Sequence, residues 1–504
     1  MNNQLKKWAV IPVLAMIAWS CQDDFLETDP KAIQIESNYF KSPQEVFNGV
    51  VAAYDPLAWE GARGSGYCTF ASFVAASDEA YGGGGSLSDV PHLNTMDDFS
   101  IDAANGPQQD FWERNFTGVS RTNTVLSKMN EAIEGFEEKD RQRYSAEAKV
   151  LRAYYYFDLV RIFGNVPLFT EPIESDEIYD VEQVPAVQIY AQIENDLLDA
   201  IAIPELPDEV SKETEGGRMT KGVAHALLGK VYLYQKKWAE AAEQLAIVNG
   251  EPGGTSRFGY ALLPEFGTIF RPDNKFSTES ILERGHTSTA ASGWGNSSLV
   301  EGFVTSKMVG PRSYKGPYYY SGWAGCPLTT EFVDAIKGDP RYTDTVANLD
   351  SLKAIGESDY LPGYEDTGYF IQKYAPLQEF EHKGAGPPPL NYTQNYVEIR
   401  LADTYLMEAE ALVESGGDAA RAGDLLNAVR TRVGLGPVTA TLENIYRERR
   451  LELATEGHRW FDLVRTGRAA TVLAGTGFVA DKNEVLPIPL QELNNTRLVQ
   501  NPGY

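Results

Sequence analysis

The sequence has few of the residues that build reactive or metal-bound centres. It contains 3 cysteines and 5 histidines in 504 residues. The motifs G-x-S-x-G, H-E-x-x-H and the P-loop are absent. The histidines share no spacing typical of zinc ligands; they are His92, His225, His286, His382 and His458. These absences argue against the common hydrolase and metalloenzyme classes, so we expect no enzymatic activity, no cofactor and no metal site.

Positive charge and long apolar runs are also scarce. The chain carries 44 lysines and arginines against 71 acidic residues, a net charge of -27. This balance argues against nucleic acid or an anionic membrane surface as a partner. No window of the mature chain approaches the ~20 apolar residues of a transmembrane helix. We therefore expect contact with a membrane only through an anchor.

The first 24 residues resemble the start of a bacterial lipoprotein. Lys6 and Lys7 precede an apolar run over 8–19, which is too short to span ~30 Å of hydrocarbon but suits a signal peptide. Cys21 directly follows this segment. We therefore predict a signal peptide over 1–20 and lipidation of Cys21, with simple secretion as the alternative. The acidic residues after Cys21 look like a surface-export signal.

Two cysteines remain once Cys21 is acylated. Cys68 and Cys326 are too few for a disulfide framework. They form either one disulfide bond or two free buried thiols, and the sequence leaves both open.

The middle of the chain indicates helices that come in pairs. Apolar residues recur at helical spacing in the segments 151–163 and 402–413, and Gly164 and Gly416 follow as C-caps. Small and large residues alternate in the manner of a tetratricopeptide repeat. The predicted pairs are 111–133 with 144–163, 223–234 with 238–245, 399–414 with 419–432, and two helices within 442–465. The sequence thus predicts a mostly α fold with four tetratricopeptide-like pairs in a single domain over 21–504.

Two long insertions interrupt these helix pairs. Residues 57–110 and 250–395 are rich in Gly, Pro, Ser, Tyr and Trp and lack helical periodicity. Irregular segments of this length inside a compact domain are usually functional. We therefore expect the ligand site in these insertions.

The segment 446–467 contains five arginines, four acidic residues and a bulky apolar set. Such a composition predicts a semi-buried ion-pair network, and a structural role is favoured over a catalytic one. Residues three apart are neighbours on a helix. The expected pairs are Arg449–Glu452, Glu456–Arg459, Arg459–Asp462 and Asp462–Arg465.

Together these features resemble the SusD/RagB family of outer-membrane nutrient-binding lipoproteins. The matching pieces, besides the lipoprotein start and the segment 446–467, are SPQEVFNG at 42–49, AEAKVLRAYYYF at 146–157, FGNVPL at 163–168, the repeat at 221–245, 398–410, LNAVRTR at 426–432 and LPIPL to QNPGY at 486–504. The resemblance implies a SusD-like fold and a non-enzymatic protein, lipid-anchored at the cell surface. It implies capture of an oligosaccharide for a SusC-like TonB-dependent transporter.

A glycan site needs flat aromatic side chains and a few polar groups. Seven aromatic residues lie within 286–326, and the resemblance implies a second contribution from the first 100 residues. The predicted ligand-binding residues are Trp294, Trp323, Tyr320, Tyr318, Trp59, Tyr81, Asp78 and Arg312. Asp78 would accept hydrogen bonds from sugar hydroxyls or cap a loop. Arg312, with Lys307 and Lys315, would attract acidic sugars or anchor the loop.

Three readings of function remain open at this stage. The resemblance favours a glycan-binding lipoprotein of an importer. A secreted glycoside hydrolase or lyase would need two carboxylates at a defined separation. A tetratricopeptide-type scaffold would bind only protein. Calcium at acids such as Asp97 and Asp98 has no EF-hand pattern to support it.

Overall fold

The computed structural model describes residues 39–60, 69–173, 177–289, 293, 301–494 and 496–504. The signal peptide, Cys21, Cys68 and Trp294 lie outside these ranges. Within them, no helix is both long enough and apolar enough to cross a bilayer.

Nineteen α-helices and four short strands make up the regular structure of the described residues. The first nine helices are α1 (Pro43–Tyr54), α2 (Ala71–Ala75), α3 (Pro91–Asp97), α4 (Gln108–Lys128), α5 (Glu138–Phe163), α6 (Ala186–Ala202), α7 (Lys212–Glu215), α8 (Lys221–Tyr234) and α9 (Trp238–Asn249). The others are α10 (Val304–Val309), α11 (Thr330–Ile336), α12 (Tyr342–Thr345), α13 (Leu349–Ala354), α14 (Leu401–Ser415), α15 (Ala419–Arg432), α16 (Leu442–Glu452), α17 (Arg459–Arg465), α18 (Ala469–Val472) and α19 (Leu490–Leu493). The strands are β1 (Ser280–Arg284), β2 (Val346–Asn348), β3 (Tyr369–Ile371) and β4 (Tyr396–Arg400).

The long helices form one scaffold in which each helix packs on the next. Contacts run from α4 to α5 and α6, then through α8 and α9 to α14, which carries α15 and α16. The predicted sequence-adjacent pairs α4–α5, α8–α9 and α14–α15 all pack together. A single apolar core runs through these helices. The mostly helical fold is therefore confirmed, and α6 is a scaffold helix that the sequence analysis did not name.

The ends of the scaffold helices follow from local residue chemistry. Ser42 and Glu45 form a capping box at the start of α1. At the C-terminus of α14, Gly416 adopts a left-handed conformation with φ of 65°, which suits glycine. Gly164 ends α5 with φ of 73°. Both predicted C-cap positions are thus occupied as expected.

The described parts of the insertions form a second layer, which we call the loop layer (residues 69–99, 257–289 and 301–396). It has an apolar core of its own, in which the rings of Phe70 and Tyr396 stack with centroids 4.5 Å apart. Its regular elements are short, and β2 pairs only with β3. The helices α2, α3 and α10 to α13 have four to seven residues. They are too short to show a helical period in the sequence, which is why the insertions were expected to be wholly irregular.

A small antiparallel sheet joins the loop layer to the scaffold. Strand β1 pairs with β4, with Ser280 opposite Arg400 and Glu283 opposite Val397. Strand β4 continues directly into α14 at Leu401. The end of this sheet that carries Ser280 and Arg400 therefore lies where the two layers meet.

A buried ionic network crosses the same junction. Arg400, with 1 % of its side chain exposed, contacts Glu452 at 2.6 Å and Glu456 at 2.8 Å. From the loop layer, Arg341 reaches Glu452 at 2.8 Å and Lys373 reaches Glu456 at 2.7 Å. Burial alone would raise the pKa of Glu452, but the surrounding arginines hold it well below its ordinary value. The network predicted for 446–467 is therefore real and buried.

Its pairs differ from those expected. Only Asp462 and Arg465 pair as predicted, at 2.8 Å. Helix α16 ends at Glu452 and α17 begins at Arg459, so Glu456 and Arg459 do not share a helix; Arg449 and Arg459 lie on a helix with their expected partners but pair with other acids. Glu456, inside this break, turns to Arg400 and Lys373. Arg449 and Arg459 pair with acidic residues from distant segments. Arg449 contacts Asp403, and Arg459 contacts Asp78.

Candidate functional site

Three segments of the loop layer meet at one surface, which we call the three-loop surface (residues 81–89, 307–326 and 357–366). The amide of Gly84 donates to the carbonyl of Ala324 at 2.8 Å, and Tyr364 N donates to Gly84 O at 2.8 Å. Leu361 N donates to Arg312 O at 2.9 Å. Gly84 has φ of 91°, and a Cβ there would lie 2.6 Å from Val90. The run of glycines from 82 to 85 therefore allows three backbones to approach closely.

Aromatic side chains from each segment lie at this surface. Tyr81 and Trp323 are half-buried, and Tyr364 has 37 % of its area exposed. The pKa of Tyr81 is raised by burial and by the carboxylates of Glu331, Asp97 and Glu365, and the pKa of Tyr364 is raised chiefly by Glu365. Asp97 and Glu365 thus act on both tyrosines. The surface thus combines aromatic faces with carboxylates that accept hydrogen bonds.

Tyr364 is a candidate that the sequence analysis did not single out. It follows Leu361, Pro362 and Gly363 and begins the turn at 364–365. A Cβ on Gly363 would lie 2.4 Å from Gly84 O, so this turn also depends on glycine. The Pro-Gly turn was the one signal that could have identified the position.

The carboxylate of Asp97 anchors the glycine run. Its Oδ2 accepts a hydrogen bond from Gly82 N at 2.9 Å. Burial, with the nearby Glu365 carboxylate, raises the pKa of Asp97 to about 7. Among the described residues, no group of three or more His, Cys, Asp or Glu side chains is arranged to hold a metal ion.

Three cations were expected either to attract acidic sugars or to anchor the loop, and two of them hold the loops. Arg312 Nη1 donates to Gly85 O at 3.4 Å. Lys307 donates to Ser321 O and lies over the ring of Tyr320. Lys315 alone is fully exposed. These contacts favour loop anchoring over recognition of an acidic sugar.

Asp78 does not lie at the three-loop surface. Its carboxylate contacts Arg459 at 2.7 Å and Arg450 at 2.8 Å. Burial would raise its pKa, but these guanidinium groups hold the pKa below its ordinary value. Both oxygens of Asp78 therefore serve the ionic network, which argues against a role as an acceptor for sugar hydroxyls; that role stays a prediction.

The tyrosines at 318–320 divide between core and surface. Tyr320 is 4 % exposed and packs against Tyr392 with centroids 5.6 Å apart. Its ring belongs to the apolar core of the loop layer, so its burial argues against the role as a ligand contact, which stays a prediction. Tyr318 is 43 % exposed, and its hydroxyl donates to Glu357 Oε2 at 2.5 Å. It lies at the edge of the three-loop surface.

Trp59 lines a separate cavity of about 350 Å³ between α1 and β1. Its indole nitrogen donates to Asp55 Oδ2 at 3.0 Å, and Arg121 lies 5.2 Å from the ring centroid. Further lining residues are Phe47, Tyr54, Arg218, Glu283 and Thr287. Of the predicted site residues, Trp59 therefore lines this cavity, and Tyr81, Arg312, Tyr318 and Trp323 belong to the three-loop surface.

Helix α10 connects these two regions. Glu60 follows Trp59 and accepts hydrogen bonds from Thr305 N at 3.1 Å and Thr305 Oγ1 at 2.9 Å. Two residues further along α10, the carbonyl of Lys307 accepts from Trp323 N at 2.9 Å. Trp59 and Trp323 thus flank one short, buried helix.

Cys326 lies beneath the three-loop surface as a free thiol. It is fully buried, and its Sγ donates to Ala71 O at 3.5 Å. Burial raises the pKa of this thiol above its ordinary value, so it is unreactive.

The fold and the site together define a class of binding protein in which a loop layer, and not the helical scaffold, presents the aromatic side chains. Two family models match the sequence: one described as the SusD family covers residues 278–504, and one described as "Starch-binding associating with outer membrane" covers residues 24–233. The chain belongs to the SusD family.

Solved structures and curated relatives agree with this assignment. A structure titled "Laminarin binding SusD-like protein" is 46 % identical, covers 92 % of this chain and 100 % of its own, and superposes with a TM-score of 0.87. Surface glycan-binding protein A from Bacteroides thetaiotaomicron, in complex with laminarihexaose, is 28 % identical with a TM-score of 0.83, over 91 % of this chain and 99 % of its own. SusD-like protein P2 of Formosa agariphila is 26 % identical over 99 % of this chain and 100 % of its own.

The buried Glu60 predicts a pH-dependent stability. Burial raises its pKa from 4.5 to about 7. The folded protein therefore favours the protonated form, so the contribution to stability is complete below about pH 4.5 and is lost as the pH rises through about 7. Glu60→Gln keeps an acceptor for Thr305 but removes this titration. Urea unfolding across this pH range should show a smaller decline in the free energy of unfolding for the variant.

The exposed Glu443→Gln serves as the matched control and should follow the wild-type profile. The pKa values of Glu79 and Asp97 are also raised to about 7. These two groups titrate in the wild type and in both variants, so part of the decline in the free energy of unfolding remains in each. Identical pH profiles for wild type and Glu60→Gln would contradict the role given to this carboxylate.

Proposed function

We propose that the three-loop surface binds a glucan of the laminarin type. The supporting observation is that the relative at 46 % identity, which aligns over its whole length, is named for binding laminarin. The aromatic side chains of Tyr81, Trp323 and Tyr364 offer faces on which the C–H surfaces of glucose units stack. The nearby carboxylates accept hydrogen bonds from hydroxyl groups.

The electrostatics of the chain are compatible with such a ligand. Laminarin is an uncharged glucose polymer, so it is not repelled by a net charge of -27. It also needs no cationic partner, which agrees with Arg312 and Lys307 being engaged by loop carbonyls. A sulfated or uronic glycan would instead need free guanidinium or ammonium groups at the site.

Stacking predicts which variants lose affinity. Trp323→Ala and Tyr364→Ala should each weaken binding of laminarihexaose by about two- to tenfold, because one aromatic contact is removed. Isothermal titration calorimetry measures this, and circular dichroism checks that each variant is folded. Tyr179→Ala, at an exposed position of the scaffold, is the control and should bind as wild type does.

Unchanged affinity in both variants would remove the three-loop surface as the site. New reducing ends after incubation with laminarin would show that the protein is a glycoside hydrolase instead. Absence of binding to laminarin, starch and other neutral glycans would favour a scaffold that binds only protein.

We further propose that the mature protein is anchored to the outer membrane by lipid on Cys21, faces the outside of the cell and delivers glycan to a SusC-like TonB-dependent transporter. The apolar run at 8–19 ahead of Cys21 supports the anchor. One matching family model is described as "associating with outer membrane", which supports the location, and the resemblance to the SusD/RagB family is the ground for the transporter partner. This second proposal concerns where the protein is held and how it passes bound glycan on.

Lipidation and partnership have direct tests. Labelled palmitate should be incorporated by the full-length chain and not by Cys21→Ala, because the variant lacks the thiol that is acylated. A tagged wild-type protein solubilised from outer membranes should copurify with a TonB-dependent barrel. Equal labelling of the variant would contradict the anchor, and recovery of the protein alone would contradict the partnership.

A further inference from the structure

The cavity at Trp59 adjoins a second cavity along the junction of scaffold and loop layer. This second cavity has a volume of about 270 Å³ and lies between the start of α8 and strand β1. Gly216, Gly217, Arg218 and Glu283 line both cavities. We call the two together the seam groove. Its far end is exposed, because Asp208, Glu209 and Thr278 lie at the surface there.

We propose that the seam groove binds a further stretch of the glucan chain, with Phe276 as the stacking residue of the second cavity. The inference rests on the proposed function, because it assigns a second set of contacts to the same ligand. It assigns a role to the second cavity, which none of the predicted site residues lines.

Phe276 is held in a conformation that local preference alone would not select. Its φ is 50°, in the left-handed region that non-glycine residues rarely adopt. Its backbone amide donates to Glu283 Oε2 at 2.9 Å. Backbone conformations of this kind persist only where the surroundings fix them, and they concentrate at ligand sites. The hydrogen bond from the amide therefore fixes where the Phe276 ring lies.

Glu283 supports that position from the wall common to both cavities. It is 6 % exposed, and its other carboxylate oxygen accepts from Asn395 Nδ2 at 2.7 Å. Burial raises the pKa of Glu283 above its ordinary value. Hydrogen bonds and the nearby Lys275 offset part of the cost of burying this carboxylate, but its pKa remains raised. Glu283 lies in the wall between the two cavities, and its hydrogen bond to the Phe276 amide fixes the ring that lines the second cavity. We take this to be the role of the buried carboxylate.

The backbone of Gly216 and Gly217 packs against the Phe276 ring. A Cβ on Gly216 would lie 2.6 Å from Phe276 Cδ2, and one on Gly217 would lie 3.3 Å from Phe276 Cε1. Phe276 is nevertheless only half-buried. The ring atoms Cδ2, Cε2, Cε1 and Cζ thus lie close to glycine backbone, and the ring also lines the cavity.

The polar groups around the second cavity suit sugar hydroxyls. Asp208 and Glu209 supply carboxylate acceptors, and Thr278 supplies a hydroxyl. Together with one aromatic ring, they reproduce the combination of apolar face and convergent polar groups expected of a carbohydrate site. Because the acids predominate, an anionic ligand fits this end of the groove poorly.

The test is a series of ligands of increasing length. Isothermal titration calorimetry would compare laminaritriose, laminarihexaose and laminarin on wild type and on Phe276→Ala. If the second cavity extends the site, Phe276→Ala should leave laminaritriose affinity unchanged and weaken the affinity for laminarin by about two- to tenfold. Thr278→Trp fills the cavity without changing the Phe276 backbone, and it should produce the same length-dependent loss.

The scaffold variant Tyr179→Ala is again the matched control. Wild-type affinity for laminarin in both Phe276→Ala and Thr278→Trp would overturn the extended site while leaving the proposed function intact. An equal loss for every ligand length would also overturn it, because Phe276 would then act on the primary site. Wild-type protein that binds no laminarin at all would overturn the proposed function and the extended site together.

Discussion

The buried ionic network between the scaffold and the loop layer is the constraint on which the structure depends. Glu452 and Glu456 each serve one cation from the loop layer and Arg400 from the sheet that joins the layers. Buried charges are tolerated only when paired, and losing one partner leaves the others uncompensated in a dry environment. The loop layer therefore cannot separate from the scaffold without exposing or stranding several charges at once.

This attachment explains how long, glycine-rich segments can form a binding surface. A flexible loop loses conformational entropy when it binds, which weakens affinity. Here the backbone hydrogen bonds around Gly84 and the apolar core beneath them fix Tyr81, Trp323 and Tyr364 before a ligand arrives. The same reasoning applies to Phe276, whose unusual φ is held by Glu283. The scaffold holds the loop layer in a fixed position, and the loop layer carries the side chains proposed to contact the ligand.

Sequence reasoning succeeded where the signal was local. Helices α5 and α14 and their glycine C-caps follow from apolar spacing within about 15 residues, and the family follows from motifs in order. It failed where partners are distant, as for Asp78 and Arg459, which are 381 residues apart. It also did not show that the Tyr320 ring is buried, because a run of three tyrosines does not reveal which ring faces the core. Tyr364 was missed because one tyrosine in a turn carries no periodic signal.

The most direct test of this account is urea unfolding of Glu452→Gln. Removing one charge from the network should lower the free energy of unfolding by about 3–5 kcal/mol, because Arg341, Arg400 and Arg432 lose a shared partner. Asp180→Asn, which breaks the exposed pair with Arg497 (73 % and 58 % exposed), should change it by no more than about 1 kcal/mol. Equal, small effects of the two substitutions would contradict the claim that the buried network holds the two layers together.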